Sequence, residues 1–220
     1  MKLPNLLVLS NEFPQTGSAG GLILRRLFQG YPAESVQIVG PEADAKSGPV
    51  AFRHHVVRMP WRRLERSRFN RLHRTLRCFG LVPWLPVRKV DALLGEFRPE
   101  VVLTVMQHAT WYESAMAYAQ AKGLPLVTIV HDTNESFDKV YGWAREAQRG
   151  ADGRFYRFAK HRLCVSPEME ELCFRKYGVR GEVMYPNRDE SLRRRPLEMN
   201  RELRNPPHLT VGFVGNVKYG

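Results

Sequence analysis

A regular alternation between short apolar runs and stretches of helical periodicity limits the fold of this chain more than any other feature. Seven runs are typical of buried strands and are bounded by turn residues: 6–9, 36–39, 55–59, 101–106, 126–130, 163–166 and 182–185. Most are separated by segments in which apolar residues recur with a period of about 3.6. Strands and helices that alternate in this way form a parallel sheet covered on both faces. The sequence therefore predicts an α/β fold, a Rossmann-like parallel sheet with helices on both faces.

One helix carries clear signals at both of its ends. Ser166 is a preferred N-cap residue, and Pro167 occupies the first helical position, where its missing N–H costs nothing. Two glutamates follow in the first turn, Arg175 and Lys176 lie in the last turn, and Gly178 ends the pattern. These signals predict a helix that begins after Ser166 and ends before Gly178.

The organisation of the chain changes near residue 187. We expect a single Rossmann-like domain over 1–187, because the alternation of strands and helices extends that far. Residues 188–207 are polar, rich in arginine and closed by Pro206 and Pro207, which is typical of a linker. Residues 208–220 contain a new apolar strand and a glycine loop, which predict the start of a second domain. We therefore expect the sequence to be the front part of a longer, truncated protein.

Cysteine usage and hydropathy indicate the compartment. The three cysteines are odd in number and lack metal-ligand spacing, which favours a reducing environment: Cys78, Cys164 and Cys173. The apolar start of the chain contains Pro4 and Asn5 and is too short for a signal peptide. No run approaches the roughly 20 apolar residues that a membrane-spanning helix needs. The sequence predicts a cytoplasmic protein.

The positive charge is concentrated in residues 53–89. The net charge is +12, and this segment holds ten arginines and one lysine against a single glutamate. A helical wheel places apolar residues on one side: Trp61, Leu64, Phe69, Leu72, Leu76 and Phe79. The opposite side is polar: Arg63, Arg66, Asn70, Arg74 and Arg77.

Two interpretations of this amphipathic segment stay open. In the first, an ordinary surface helix packs its apolar side on the domain core. In the second, the segment docks on anionic lipid, where each basic residue contributes about 1 kcal/mol. Both hold if the arginine side alone meets the membrane. Trp84 would suit an interfacial anchor, so the predicted membrane patch comprises Trp61, Arg63, Arg66, Arg74, Arg77 and Trp84.

A glycine-rich loop follows the first predicted strand. Gly17, Gly20 and Gly21 stand directly before a helical pattern, where glycines let a backbone approach a phosphate at a helix N-terminus. They form neither the G-x-G-x-x-G pattern of dinucleotide folds nor a Walker A motif. On these residues alone, plain turn chemistry and phosphate contact are equally supported.

The order of several segments resembles one known family. In chain order they are FPQTGSAGG, FRPEVVLTVMQHATW, GLPLVTIVHD, HRLCVSPEMEELCFRKYG, VMYPNRD and TVGFVGN. This order is similar to the front half of GT-B glycosyltransferases, specifically the retaining family four. The resemblance implies two Rossmann-like domains, with the acceptor held by the first and most of the sugar nucleotide by the second. Reaction would take place in the cleft between them.

The resemblance also implies roles for single residues. His131 matches a histidine near the transferred sugar, although a histidine at a strand end is often only a hydrogen-bonded core residue. The residues implied at the donor phosphate and acceptor are Gly20, Gly21, Asn216 and Lys218. The possible acceptor pocket comprises His108, Asp132 and Asn187, although Asp132 is equally suited to cap the following helix. The paired glutamates that hold the ribose and sugar in the family have no counterpart in this sequence.

These observations predict the front half of a glycosyltransferase that moves a sugar from a nucleotide-sugar donor to a cell-surface glycan or a lipid-linked acceptor. We expect no cofactor, no metal and no nucleic-acid partner, with an anionic membrane surface as a possible partner. The chain alone is expected to be inactive without its C-terminal domain or a partner chain. The alternatives are a non-catalytic basic α/β protein that binds anionic lipid or nucleic acid, and a protein similar to sugar-nucleotide epimerases.

Overall fold

The described part of this computed structural model is an alternation of strands and helices. It comprises residues 3–15, 19–42, 51–58, 64, 67–82, 85–132 and 140–185, all within one compact unit, Met1–Asn187. These residues include seven strands and six helices: β1 (Leu6–Leu9), α1 (Ala19–Leu27), β2 (Val36–Gly40), β3 (Arg53–Val56), α2 (Asn70–Cys78), α3 (Val87–Leu94), β4 (Val101–Val105), α4 (Ala109–Lys122), β5 (Leu126–Val130), α5 (Arg145–Phe158), β6 (His161–Cys164), α6 (Pro167–Tyr177) and β7 (Glu182–Val183). The predicted α/β fold is confirmed. The predicted linker and second domain, 188–207 and 208–220, lie outside the described residues and stay predictions.

The seven strands form one parallel sheet in the order β3-β2-β1-β4-β5-β6-β7. Leu6 of β1 pairs with Val36 on one side and with Val101 on the other. The chain therefore builds the sheet outward from β1 to β3 and then returns to continue from β4 in the opposite direction. Doubly wound sheets bind ligands in the crevice outside the carboxyl ends of the strands at such a reversal.

Alternate residues of the central strands supply two separate cores. Leu7 and Leu9 of β1 face a large core shared with α3, α4, α5 and α6. Leu6 and Val8 face the other side, where they pack with Leu24 of α1. Because successive side chains of a strand point to opposite faces, a strand buried on both sides is a continuous apolar run. Helices cover both faces of the sheet, as predicted.

The predicted strand boundaries hold best in the middle of the sheet. β1 and β5 begin and end where the apolar runs do. β3 lies at Arg53–Val56 and not at 55–59, and β6 at His161–Cys164 and not at 163–166. Their first residues, Arg53 and His161, are exposed. Because pairing with β2 and β5 sets where these outer strands begin, apolar content alone misplaced both by two residues.

The helix predicted from its end signals is α6. The Oγ of Ser166 accepts a hydrogen bond from the backbone N–H of Met169 at 3.2 Å, and Pro167 is the first helical residue. Gly178 ends the helix with φ +75°, a conformation that favours glycine. Both predicted ends are confirmed.

Candidate functional site

Polar side chains meet at the reversal between β1 and β4. Asn11 follows β1 and Gln107 follows β4, and the Nδ2 of Asn11 donates a hydrogen bond to the Oε1 of Gln107 at 3.3 Å. The Oδ1 of Asn11 is buried and has no hydrogen-bond partner within the part of the chain that the structure describes. A buried acceptor without a partner is costly in a folded protein. This crevice therefore offers a hydrogen-bond acceptor that a bound ligand could satisfy.

Glu12 approaches the start of α1 because Gly20 has no side chain. The backbone N–H of Glu12 donates to the Oγ of Ser10 at 3.0 Å, which fixes the chain as it leaves β1. A Cβ added to Gly20 would lie 3.1 Å from the carboxyl carbon and from the Oε2 of Glu12. The carboxylate thus packs against the first turn of α1, at the positive end of the helix dipole.

The structure changes the interpretation of the glycine loop. Gly20 and Gly21 lie within α1, which begins at Ala19, whereas the sequence placed them before the helix. Both glycines are buried, and Gly17 is outside the described residues. The absence of a side chain at Gly20 allows close packing of Glu12 at this helix N-terminus. Backbone N–H groups at such a terminus are suited to phosphate or carboxylate oxygens.

His131 lies directly after β5, at the same edge of the sheet. Burial lowers the pKa of its imidazole, and the negative charges of Glu12 and Asp132 act in the opposite direction. Glu12 follows β1 and His131 follows β5, so both lie at the carboxyl ends of the strands. Since the pKa lies below 6.5, the imidazole is mainly neutral near pH 7 and has one nitrogen that donates and one that accepts.

The other predicted residues of this edge are His108 and Asp132. His108 precedes α4 as its N-cap residue, and its carbonyl oxygen accepts a hydrogen bond from the N–H of Trp111 at 3.0 Å. Asp132 is exposed immediately after His131. The structure therefore brings Gly20, Gly21, His108, His131 and Asp132 to the same edge of the sheet. Asn187, Asn216 and Lys218 lie outside the described residues.

Sequence reasoning did not select Asn11, Glu12 or Gln107. Each follows a central strand within three residues of its end, and the carboxyl ends of β1 and β4 form the reversal of the sheet. This position was the available signal, because the strand order of a doubly wound sheet predicts which loops meet. The resulting site combines a carboxylate, two side-chain amides, a neutral imidazole and a helix N-terminus.

The structure contradicts one of the two interpretations of the basic helix, the one that packs its apolar side on the domain core. Arg77 was placed on the solvent side, but it is only 7% exposed. Its Nη1 donates to the Oγ1 of Thr110 at 2.7 Å, and its Nε lies 3.6 Å from the Oε2 of Glu113. By contrast Leu72 and Phe79, expected in the core, are 41% and 50% exposed. The buried carboxylate on α4 draws the arginine side of α2 inward, so that the apolar side faces solvent.

The remaining membrane-patch residues divide into two groups. Arg74 is half-buried on α2. Trp61, Arg63, Arg66 and Trp84 lie outside the described residues, so their placement stays a prediction. Among the described residues, no helix is long and apolar enough to cross a membrane, and no three His, Cys, Asp or Glu side chains cluster as metal ligands.

Two cavities lie away from the reversal between β1 and β4. One, of about 490 Å³, is lined by Asp91, Tyr118 and Lys122 and by residues that precede β4 and β5, so it opens at the amino ends of these strands. Its charges are satisfied internally, since the Nζ of Lys122 lies 2.7 Å from the Oδ2 of Asp91. The second, of about 730 Å³, lies between α5 and α6 and is lined by several arginines. Neither contains a residue predicted for the site.

A comparison with protein families gives one match. Residues 20–187 match the model of a family described as glycosyl transferase 4-like domain. The matched range is more than half of the chain and includes both glycines of α1, His108 and His131. No curated protein matches the chain significantly.

Proposed function

Because the chain belongs to the glycosyl transferase 4-like family, we propose that it supplies the acceptor-side domain of an enzyme that transfers a sugar from a nucleotide-sugar donor to a glycan or a lipid-linked acceptor. The observation that carries this proposal is the arrangement at the carboxyl edge of the sheet. Glu12, Gly20 and His131 come from three different segments and lie where doubly wound sheets bind ligands.

The chemistry of sugar transfer explains the types of residue at this edge. The bond between the anomeric carbon and the diphosphate oxygen breaks, and an acceptor hydroxyl oxygen forms the new bond to that carbon and gives its proton to the departing diphosphate oxygen. Negative charge therefore develops on the departing diphosphate and positive charge on the sugar. Preorganised N–H groups stabilise the first of these charges. In our proposal, the N-terminus of α1 at Gly20 and Gly21 faces the diphosphate.

His131 is proposed to bind the transferred sugar. A neutral imidazole adds no positive charge beside the electron-poor sugar and can still hydrogen-bond a sugar hydroxyl. The lowered pKa keeps it in that form at neutral pH. Asn11, Gln107 and His108 are proposed to bind acceptor hydroxyls, since amide and imidazole groups both donate and accept hydrogen bonds.

A second domain is part of this proposal. The family resemblance assigns most of the nucleotide site to a second Rossmann-like domain, to which we assign Asn216 and Lys218. Asn187 stays a proposed residue of the acceptor pocket. The described residues alone are therefore proposed to bind acceptor but to transfer no sugar, and activity requires the donor domain, on the same polypeptide or on a partner.

We also propose that the enzyme works as a peripheral protein on the inner face of a membrane. The support is the net charge of +10 in residues 53–89, because anionic lipid headgroups attract clustered basic residues. Such a location would bring the carboxyl edge of the sheet near a lipid-linked acceptor or a growing cell-surface glycan.

The test is sugar transfer by the protein together with its donor domain. A panel of UDP-, GDP- and ADP-linked hexoses is incubated with glycan and lipid extracts, and release of the nucleoside diphosphate is measured. His131→Ala is expected to lower kcat at least about tenfold, an effect of at least 1.4 kcal/mol on the barrier. The midpoint of urea unfolding should change little.

His161→Ala is the matched control. His161 begins β6, at the opposite edge of the sheet, and its Nδ1 lies 2.8 Å from the Oε1 of Glu182. Loss of this exposed histidine should leave kcat unchanged. Normal turnover in His131→Ala would overturn the proposed role of this residue. Absence of transfer from every donor would count against the proposed function.

A further inference from the structure

The helix α2 presents its apolar side to solvent, and neighbouring large side chains extend this surface. We define the aromatic stripe by its exposed members: Phe69, Leu72, Phe79, Leu81, Tyr141 and Trp143. Their exposed fractions run from 36% for Tyr141 to 72% for Trp143. Single exposed apolar residues are ordinary on a folded protein, but a contiguous set of this kind marks an interaction surface.

Ring contacts show that the stripe is contiguous between α2 and the segment before α5. The ring of Phe79 stacks on that of Trp143 with centroids 5.8 Å apart, and the ring of Tyr141 also stacks on that of Trp143, with centroids 6.4 Å apart. The guanidinium of Arg71 lies 4.9 Å from the centroid of the Tyr141 ring. Three stacked rings and one arginine therefore lie together on an exposed surface.

Buried polar contacts hold α2 in this orientation. Arg77 bonds Thr110 and pairs with Glu113 on α4, and the Oγ1 of Thr75 accepts a hydrogen bond from the N–H of Tyr141 at 3.1 Å. Rotation of α2 to hide its apolar side would break the contacts of Arg77 and leave the carboxylate of Glu113 buried without this partner. The exposed apolar side is therefore built into the fold.

We infer that the aromatic stripe docks on an anionic lipid bilayer, with its rings in the interfacial layer and the flanking arginines at the headgroups. This inference rests on the peripheral location proposed above and names the surface responsible for it. The charge supports this partner, because residues 53–89 carry +10 and α2 contains no acidic residue to offset its exposed Arg71. Arg68 and Arg71 are exposed beside the stripe. Tryptophan and tyrosine are the residues that favour a membrane interface.

The same observations disfavour other binding partners for the aromatic stripe. A second copy of the chain would bring one strongly basic surface against another, which charge repulsion opposes. Nucleic acid would match the charge, but it offers no apolar layer for Leu72 and Leu81. A bilayer satisfies both requirements, since its headgroups attract cations and its interface accepts rings and aliphatic side chains.

The test is co-sedimentation of the full chain with vesicles. One set contains phosphatidylglycerol mixed with phosphatidylcholine, and the other contains phosphatidylcholine alone. Binding to the anionic vesicles should exceed binding to the neutral ones at least about tenfold and weaken as salt is raised. The double variant Phe79→Ser, Trp143→Ser should lose at least about tenfold in binding, because two largely exposed rings no longer enter the interface.

Matched variants distinguish binding through the aromatic stripe from nonspecific hydrophobic binding and from general charge attraction. Leu172→Ser removes an apolar side chain of 36% exposure on α6 and should bind as the unmodified chain does. Arg68→Gln with Arg71→Gln should weaken binding roughly 25-fold, at about fivefold for each charge. Arg154→Gln with Lys160→Gln removes the same charge outside the stripe and should have a smaller effect. Circular dichroism and urea unfolding verify that every variant is folded.

Several results would overturn the inference. Unchanged vesicle binding by the folded Phe79→Ser, Trp143→Ser variant would exclude the stripe, as would equal binding to both vesicle types. Tighter binding to duplex DNA at the same salt, or a dimer that this variant dissociates, would identify a different occupant. Sugar transfer to a soluble acceptor should persist in this variant, so that failure of membrane docking is distinguishable from failure of the proposed enzyme activity.

Discussion

The buried ion pair between Arg77 and Glu113 makes a quantitative prediction about stability. Arg77 is 7% exposed and Glu113 is 6% exposed, with 3.6 Å between the Nε and the Oε2. Arg77→Leu keeps an apolar side chain in place but leaves the carboxylate buried and deprives Thr110 of a donor at 2.7 Å. Removal of one partner from a buried pair costs about 3 to 5 kcal/mol. We expect the free energy of unfolding to fall by that amount.

The assay is urea unfolding followed by circular dichroism, with the slope m checked for constancy. The control is Arg68→Leu, which removes an exposed arginine that neighbours the same helix. Its cost should stay below about 1 kcal/mol. The double variant Arg77→Leu, Glu113→Leu should lose less than the sum of the two single losses, by about 2 kcal/mol, because each single loss already includes the interaction between the two charges.

The control also gives the result that would refute the reasoning. If α2 turned its arginine side to solvent, as in the interpretation of an ordinary surface helix, Arg77→Leu and Arg68→Leu would have equally small effects. A loss below 1 kcal/mol in Arg77→Leu, or strict additivity in the double variant, would show that the pair does not hold α2. The orientation of the aromatic stripe would then lose its physical explanation.

Three further predictions concern stability. Gly40→Ala should lower the free energy of unfolding in urea by at least about 2 kcal/mol, because the added Cβ would lie 2.5 Å from the carbonyl oxygen of Ser10. The control Gly150→Ala should be tolerated, because its Cβ would lie no closer than 3.7 Å to any neighbouring atom. Ser166→Ala should cost about 1 kcal/mol by loss of the N-cap of α6, and no loss would contradict the cap. The pKa of His131 is lowered by burial, so the folded state binds its proton less readily than the unfolded state. Stability should fall as the pH drops below 6.5, His131→Gln should reduce this fall, and NMR titration of the ring should give a midpoint below 6.5.

The sequence was most informative where local chemistry decides the structure. The strands β1 and β5 are apolar on both faces, so their apolar runs coincide with their bounds. The ends of α6 were predictable because the cap at Ser166 and the positive φ at Gly178 are local requirements. The predicted range of the outer strand β3 was displaced, because pairing with β2 sets the register of this strand. Apolar content gave no signal for that contact.

The orientation of α2 depends on a contact between residues distant in sequence. The inclusion of Asn11 and Glu12 in the site likewise depends on segments distant in sequence. The helical wheel could not show that Glu113, 36 residues after Arg77, is buried and draws this arginine inward. Gly20 was found from the glycine loop predicted before α1, and His131 was found through the family resemblance. Asn11 and Glu12 have no motif of their own and gain significance only from the strand order, which brings the end of β1 beside the end of β4.

The most direct test of the account is a crystal structure of the protein with its donor domain and bound nucleotide sugar. We predict that the sugar lies within hydrogen-bond distance of His131 and that the diphosphate lies beside Gly20 and Gly21 at the start of α1. A donor bound instead in the cavity between α5 and α6, or in the cavity lined by Asp91 and Lys122, would contradict the assignment of the site to the carboxyl edge of the sheet.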